Sequence, residues 1–289
     1  MKLISSIYNN SQLEKFAPYL DGVILMAPHY AYVYDDLDLD AAIEYCHKNN
    51  IEPFISITRI FMEDELDTIK TFIQKYPTTK FVVSDIGVVQ LFIDMNRIQD
   101  VVFDPTTLVC NSMDLDIYAS LGVDAVAMSN EIPLKDVELS YKITKASMLY
   151  HVFGRKLMFY SKRKLVSVYK EFRSLEFENT NLSLIEEKRN YNIPLFENEN
   201  GTYCYRQYNI CLLNELDTLS FLKYAYLESI TLDDDCFVNV LSVFRKVINK
   251  EITIEEGNKE IETMNLPIED GFAYEDTVHV KEKIIQCEK

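Results

Sequence analysis

Glycine is scarce in this chain. Seven residues of 289 are glycine, where average usage of ~7% would give about 20. Gly22, Gly87, Gly122, Gly154, Gly201, Gly257 and Gly271 stand too far apart to build a dinucleotide fingerprint, a Walker loop or a nucleophile elbow. Six cysteines contain no CxxC pair, the nearest two being Cys204 and Cys211, so neither a disulfide framework nor a zinc ribbon is indicated. Four histidines, His29, His47, His151 and His279, are too dispersed for HExxH. His47 reads as a surface residue of a helix that also carries Glu44. Basic residues are few, 29 against 46 acidic, and the resulting charge of −17 disfavours a general phosphate-backbone binder. No run reaches 18 apolar residues, which predicts no membrane partner. The start Met1-Lys2-Leu3-Ile4-Ser5-Ser6 runs into Asn9-Asn10 rather than an apolar stretch. The expectation is a soluble protein of the reducing cytoplasm.

What is present is a 48% apolar composition, enough for a large core. Short β-branched runs alternate with helical patterns. Strands are predicted at Lys2–Tyr8, Gly22–Ala27, Glu52–Thr58, Lys80–Ser84, Val101–Phe103, Asp124–Met128 and Met148–Phe153. Helices are predicted between them at Gln12–Tyr19, Asp40–Asn49, Glu63–Tyr76, Val88–Asn96, Met113–Leu121 and Leu134–Ala146. This order implies an α/β fold with a parallel sheet, and the number of units favours a TIM-type (β/α) barrel, closed or incomplete. The chain reads as one barrel-type domain over 1–289, with an irregular insertion at 170–199 and a C-terminal extension at 251–289. After the insertion the pattern predicts a strand at Thr202–Arg206 and a helix around Leu212–Tyr224. A strand at Leu227–Leu232, a helix at Asp235–Asn249, a helical Glu251–Met264 and an extended Phe272–Val280 follow.

In a barrel the chemistry gathers where strands exit at their C-terminal ends. Those exits hold His29, Arg59, Asp85, Asn111, Asn130, Glu131, Arg155 and Lys156. Arg59 and Arg155 suit the carboxylate of a small anionic ligand, with Asn111, Asn130 and Lys156 as further binding candidates. Glu131, His151 and Asp85 are the candidates for acid–base catalysis. Asp85, Asn111 and Asn130 equally fit helix N-caps. No spacing supports a metal site, and a serine triad would be recognisable only by geometry. Seven of the 29 basic residues lie between Arg155 and Arg173, interleaved with Phe159, Tyr160, Tyr169 and Phe172. That segment suits single-stranded nucleic acid or an anionic metabolite, or simply a solvated face.

Six segments in this order carry a family resemblance: KFVVSDIG from Lys80, Thr107–Asn111, Asn130–Leu134, HVFGRKLMFYSKRKLVS from His151, ENGTYCYRQYNICLL from Glu199, and DGFAYEDTVHVK from Asp270. Together they resemble the collagenase-like peptidase family, peptidase family U-thirty-two, over nearly the whole chain. The resemblance implies a TIM-type barrel with extra segments, a peptidase label, and relatives in RNA and ubiquinone hydroxylation. It also implies a [4Fe–4S] cluster on four cysteines. The signature's first two cysteines fall here on Leu157 and Lys164, the third has no counterpart after Phe172, and only the last matches, at Cys211. The expectation is therefore a lost iron–sulfur cluster and no cofactor. The partner would be a small molecule, a peptide, or a cluster-bearing paralogue.

Overall fold

The computed structural model describes residues 1–178, 182–185 and 192–275. The first 154 residues run β1 (Lys2–Ile7), α1 (Asn10–Phe16), β2 (Gly22–Leu25), α2 (Leu39–Lys48), β3 (Glu52–Ile57), α3 (Leu66–Lys75), β4 (Lys80–Val83), α4 (Ile86–Asp94), β5 (Val101–Phe103), α5 (Ser112–Ser120), β6 (Ala125–Ala127), α6 (Leu134–Thr144) and β7 (Met148–Gly154). An excursion follows: β8 (Leu157–Ser161), α7 (Leu165–Arg173), β9 (Leu182–Ile185), β10 (Asn192–Asn198) and β11 (Gly201–Tyr205). The chain returns through β12 (Asn209–Cys211) to β13 (Tyr224–Leu227), α8 (Asp234–Ile248), α9 (Ile254–Thr263) and β14 (Ile268–Glu269).

Strands β1 to β7 pair in parallel in sequence order, and β13 pairs in parallel with both β7 and β1. The barrel is thus closed, with eight parallel strands. Both faces of such strands are buried, so they read as continuous apolar runs, as in the fully buried β2 and β7. Alternation still sorts them. Ile4, Ile24, Phe54, Val82, Val102, Ala125, Leu149 and Tyr224 fill the interior. Their neighbours Leu3, Val23, Ile55, Val83, Phe103, Val126, Tyr150 and Ala225 pack against the helices. At the N-terminal face, Lys80 bridges Asp124 and Glu52, each at 2.7 Å, and Tyr224 donates to Asp124 at 2.7 Å.

The excursion forms a four-stranded antiparallel sheet in the order β8-β11-β10-β9 and covers the C-terminal mouth, a cap joined to the rim at several points. Tyr203, Tyr205 and Leu157 from the cap belong to the same buried cluster as the barrel interior. The β10–β11 hairpin docks on the loop after β2, with Asn198 and Asn200 donating to the carbonyls of Tyr32 and Ala31, each at 3.1 Å. Lys162 of the cap pairs with Glu65 at 2.9 Å.

Four expectations change here. Within 170–199, read as irregular, β9 and β10 form antiparallel pairs with each other and with β11. The helix predicted around Leu212–Tyr224 is only a 3-10 turn at Leu213–Glu215 followed by turns. Its apolar spacing is real, but pairing with β1 and β7 draws Tyr224–Leu227 into the eighth strand. The strand predicted over Leu227–Leu232 accordingly begins where β13 ends. Of the predicted extended Phe272–Val280, residues 272–275 lie in a turn and its end, and the rest lie outside the described residues.

Candidate functional site at the capped mouth of the barrel

The strand exits converge on the C-terminal rim, and the cap divides them into three groups. On one side, an open cleft of about 370 Å³ runs between the cap and the exits of β3, β4 and β5. Arg59 and Asp85 both line it, with Tyr32, Thr106 and Tyr160. Arg59 is fully engaged there: it donates to the His29 carbonyl at 2.6 Å and to Glu65 at 2.6 Å, and stacks on Phe61. That guanidinium, followed by the Lys162 ammonium, holds the Glu65 carboxyl down to about 2. Asp85 caps α4, accepting from the Gly87 and Val88 amides at 2.7 and 3.3 Å. Asn111 caps α5 in the same way, and its side chain is exposed. His29 is exposed too, against the Tyr34 hydroxyl at 3.0 Å.

Beneath the cap lies a buried polar hub that no sequence motif marks. Glu228 directly follows β13 and is 2% exposed. Its carboxylate accepts from the Ser6 hydroxyl at 2.6 Å, from Tyr8 at 2.9 Å, from Tyr226, and from the Ile230 amide at 2.9 Å. Burial and then the charge of Glu228 push the Tyr8 and Tyr226 phenols well above their usual range, so both stay donors. Four donors on one carboxylate offset the cost of burying it. The strand-exit rule would have found Glu228, had the predicted strand ended at Leu227.

Beside this hub the structure brings together Asn130, His151 and Lys156, all buried. Asn130 donates to the His151 carbonyl at 3.0 Å, and the His151 ring packs edge-on to Tyr226 at 5.2 Å. Burial, and next the Lys156 ammonium, push the His151 pKa down to about 3, so the ring is neutral at pH 7. His151 Nε2, Asn130 Oδ1 and Ser229 Oγ are buried without a hydrogen-bond partner. Glu131 stands apart on the exposed rim, its amide bonded to Ser129 Oγ at 3.1 Å. Arg155 leaves β7 on the far side of the cap, into a second open cleft of about 400 Å³.

The resemblance assigns cluster cysteines to positions that the structure places apart. At the signature positions Leu157 is buried in the mouth and Lys164 is the exposed residue before α7. Cys211 sits in β12, where burial pushes its thiol up to about 11. Among the described residues no group of three or more His, Cys, Asp or Glu side chains is placed to hold a metal ion. No helix among them is long and apolar enough to cross a membrane.

A closed eight-stranded (β/α) barrel whose mouth is covered by an inserted antiparallel sheet defines the class. The sequence profile of peptidase family U32 matches residues 25–279, and the chain belongs to that family. It is 22% identical over 266 residues to tRNA hydroxylation protein P2 of Bacillus subtilis (strain 168), covering 84% of this chain and 85% of that protein. The solved structure of the U32 peptidase Mk0906 superposes with a TM-score of 0.53 at 11% identity, covering 79% of this chain and 92% of the other.

Proposed function

We propose that this protein is a cluster-free U32 barrel that acts in RNA hydroxylation as the accessory partner of a cluster-bearing family member. The observation that carries this reading is an exposed apolar stripe on α7. Leu165, Val168, Tyr169 and Phe172 follow helical spacing on one stripe; all four are exposed, Phe172 at 80%, and Leu165 and Tyr169 also line an apolar cleft against β9 and β10. A helix of a self-contained monomer turns such a stripe inward, and a contiguous exposed apolar patch marks a contact for another protein. The same stretch holds Lys164, where the family resemblance places a cluster cysteine. Ligation is replaced there by a docking surface. The likeness to a tRNA hydroxylation protein over most of both chains supports the reaction class. Exposed Arg163, Lys164 and Arg173 on the same cap supply the positive charge that an RNA-bound complex needs.

The peptidase label draws less support. Asp85 is committed to a helix cap and His151 is buried and neutral. The test is mass spectrometry of nucleosides from cells with and without the gene. Loss of a hydroxylated nucleoside on deletion, restored by the wild-type gene, is the expected result. Unchanged nucleosides overturn the reading. Cleavage of casein or denatured collagen that disappears in a His151→Gln protein restores the peptidase alternative.

A further inference from the structure

Among the described residues four half-buried arginines come with counter-ions, and a fifth does not. Arg59, Arg97, Arg206 and Arg245 are each half-buried, and each is held by a carboxylate: Glu65 at 2.6 Å, Asp100 at 2.7 Å, Glu269 at 2.6 Å and Asp21 at 2.8 Å. Arg155 is half-buried as well, yet among the described residues no carboxylate lies within ion-pair distance of it, in a chain with 46 acidic residues. Its Nε is fully enclosed and makes no hydrogen bond. A guanidinium cannot shed its proton, so burial without a counter-charge is a standing cost that a bound anion relieves.

The surroundings say which anion. Arg155 opens into the cleft of about 400 Å³ between the cap and the barrel rim, a size suited to a small molecule. Pro194, Leu195, Phe196 and Pro267 form apolar walls, and among the described residues lining it Arg155 is the one cation. Gln207 lines it too, and its Oε1 is a second enclosed, unpartnered atom, an acceptor awaiting a donor. The direction of Arg155 is fixed by the residue before it. Gly154 has φ +108, and a Cβ there would stand 2.2 Å from the Glu228 carbonyl oxygen. The rim opposite is fixed by Thr231, a β-branched residue held at φ 70.

We propose that this cleft is a binding site for a small organic carboxylate with an apolar body, gripped through the Arg155 fork. A planar two-oxygen anion matches one guanidinium. A phosphate would ask for more positive charge than a single cation among prolines, leucine and phenylalanine provides. The site does not depend on the RNA-hydroxylation reading, since it is measured on the isolated chain.

The probe is 3-phenylpropanoate, titrated calorimetrically into the full-length protein, with 3-phenylpropan-1-ol and inorganic phosphate in parallel. The expected result is one site with a dissociation constant near or below about 1 mM, with both comparators at least about 10-fold weaker. Arg155→Gln should weaken the carboxylate by about 10-fold or more, and Arg155→Lys by less, because it keeps the charge and loses the fork. The Arg155→Gln protein should melt no lower than wild type, since it sheds an unpaired cation. No binding up to about 10 mM, tighter binding of phosphate, or equal affinity in a folded Arg155→Gln protein overturns the proposal.

Discussion

Acidification should unfold this protein partly through one imidazole. His151 is 3% exposed, and its folded pKa is about 3 against an ordinary 6.5. At pH 7.5 the ring is neutral in both folded and unfolded chains and contributes nothing to the difference. As the pH falls below about 6.5, the unfolded chain takes up a proton that the folded chain refuses, so stability falls. Each pH unit in that window corresponds to about 1.4 kcal/mol, and integrating from pH 7.5 to 4.5 gives a loss of about 2.5 kcal/mol from this ring alone. Carboxyls held below their ordinary values, Glu65 and Asp124 among them, also lose stability in acid. They are common to wild type and to His151→Gln, so the difference between the two proteins isolates the imidazole. Urea denaturation followed by far-ultraviolet circular dichroism across this range measures it. The wild-type curve should fall about 2.5 kcal/mol further than that of the variant. Parallel curves would mean that the ring protonates while folded, and the argument from its burial would be wrong.

Removing the Glu228 carboxylate with Glu228→Ala strands the hydroxyls of Ser6, Tyr8 and Tyr226 and the Ile230 amide. The cost should be about 3–5 kcal/mol in urea denaturation, and Glu228→Gln should recover a part of it. Gly154→Ala meets the Glu228 carbonyl oxygen at 2.2 Å and should cost more than about 2 kcal/mol, read as a lowered urea midpoint. Phe172→Ser touches only exposed surface and should leave stability within about 0.5 kcal/mol. The same change should weaken binding to a cluster-bearing family member by at least about 10-fold in a pull-down titration, and unaltered binding would remove α7 from the interface.

Much of the scaffold is legible in the sequence because barrel strands are buried on both faces and announce themselves as short apolar runs. The residues that end those runs are polar, so Arg59, Asp85, Asn130 and Arg155 could be placed on one rim from the chain alone. Sequence also shows a leucine and a lysine, Leu157 and Lys164, where the resemblance places two cluster cysteines. It could not distinguish a cap from a catalyst. Asp85 and Asn111 bond to amides two and three residues along, a local use that only backbone geometry reveals.

Closure of the barrel, the lid over its mouth and the state of each rim residue were decided by tertiary structure. The bonds that set them join residues far apart: Glu228 reaches Ser6 across 222 positions and Tyr8 across 220. Local periodicity carries no record of such pairings, which is why Glu228 looked like the interior of a strand. Arg59 and Arg155 looked equivalent for the same reason. Folding gave the first a carboxylate from its own loop and left the second facing an open cleft, and what separates them is their neighbours in space.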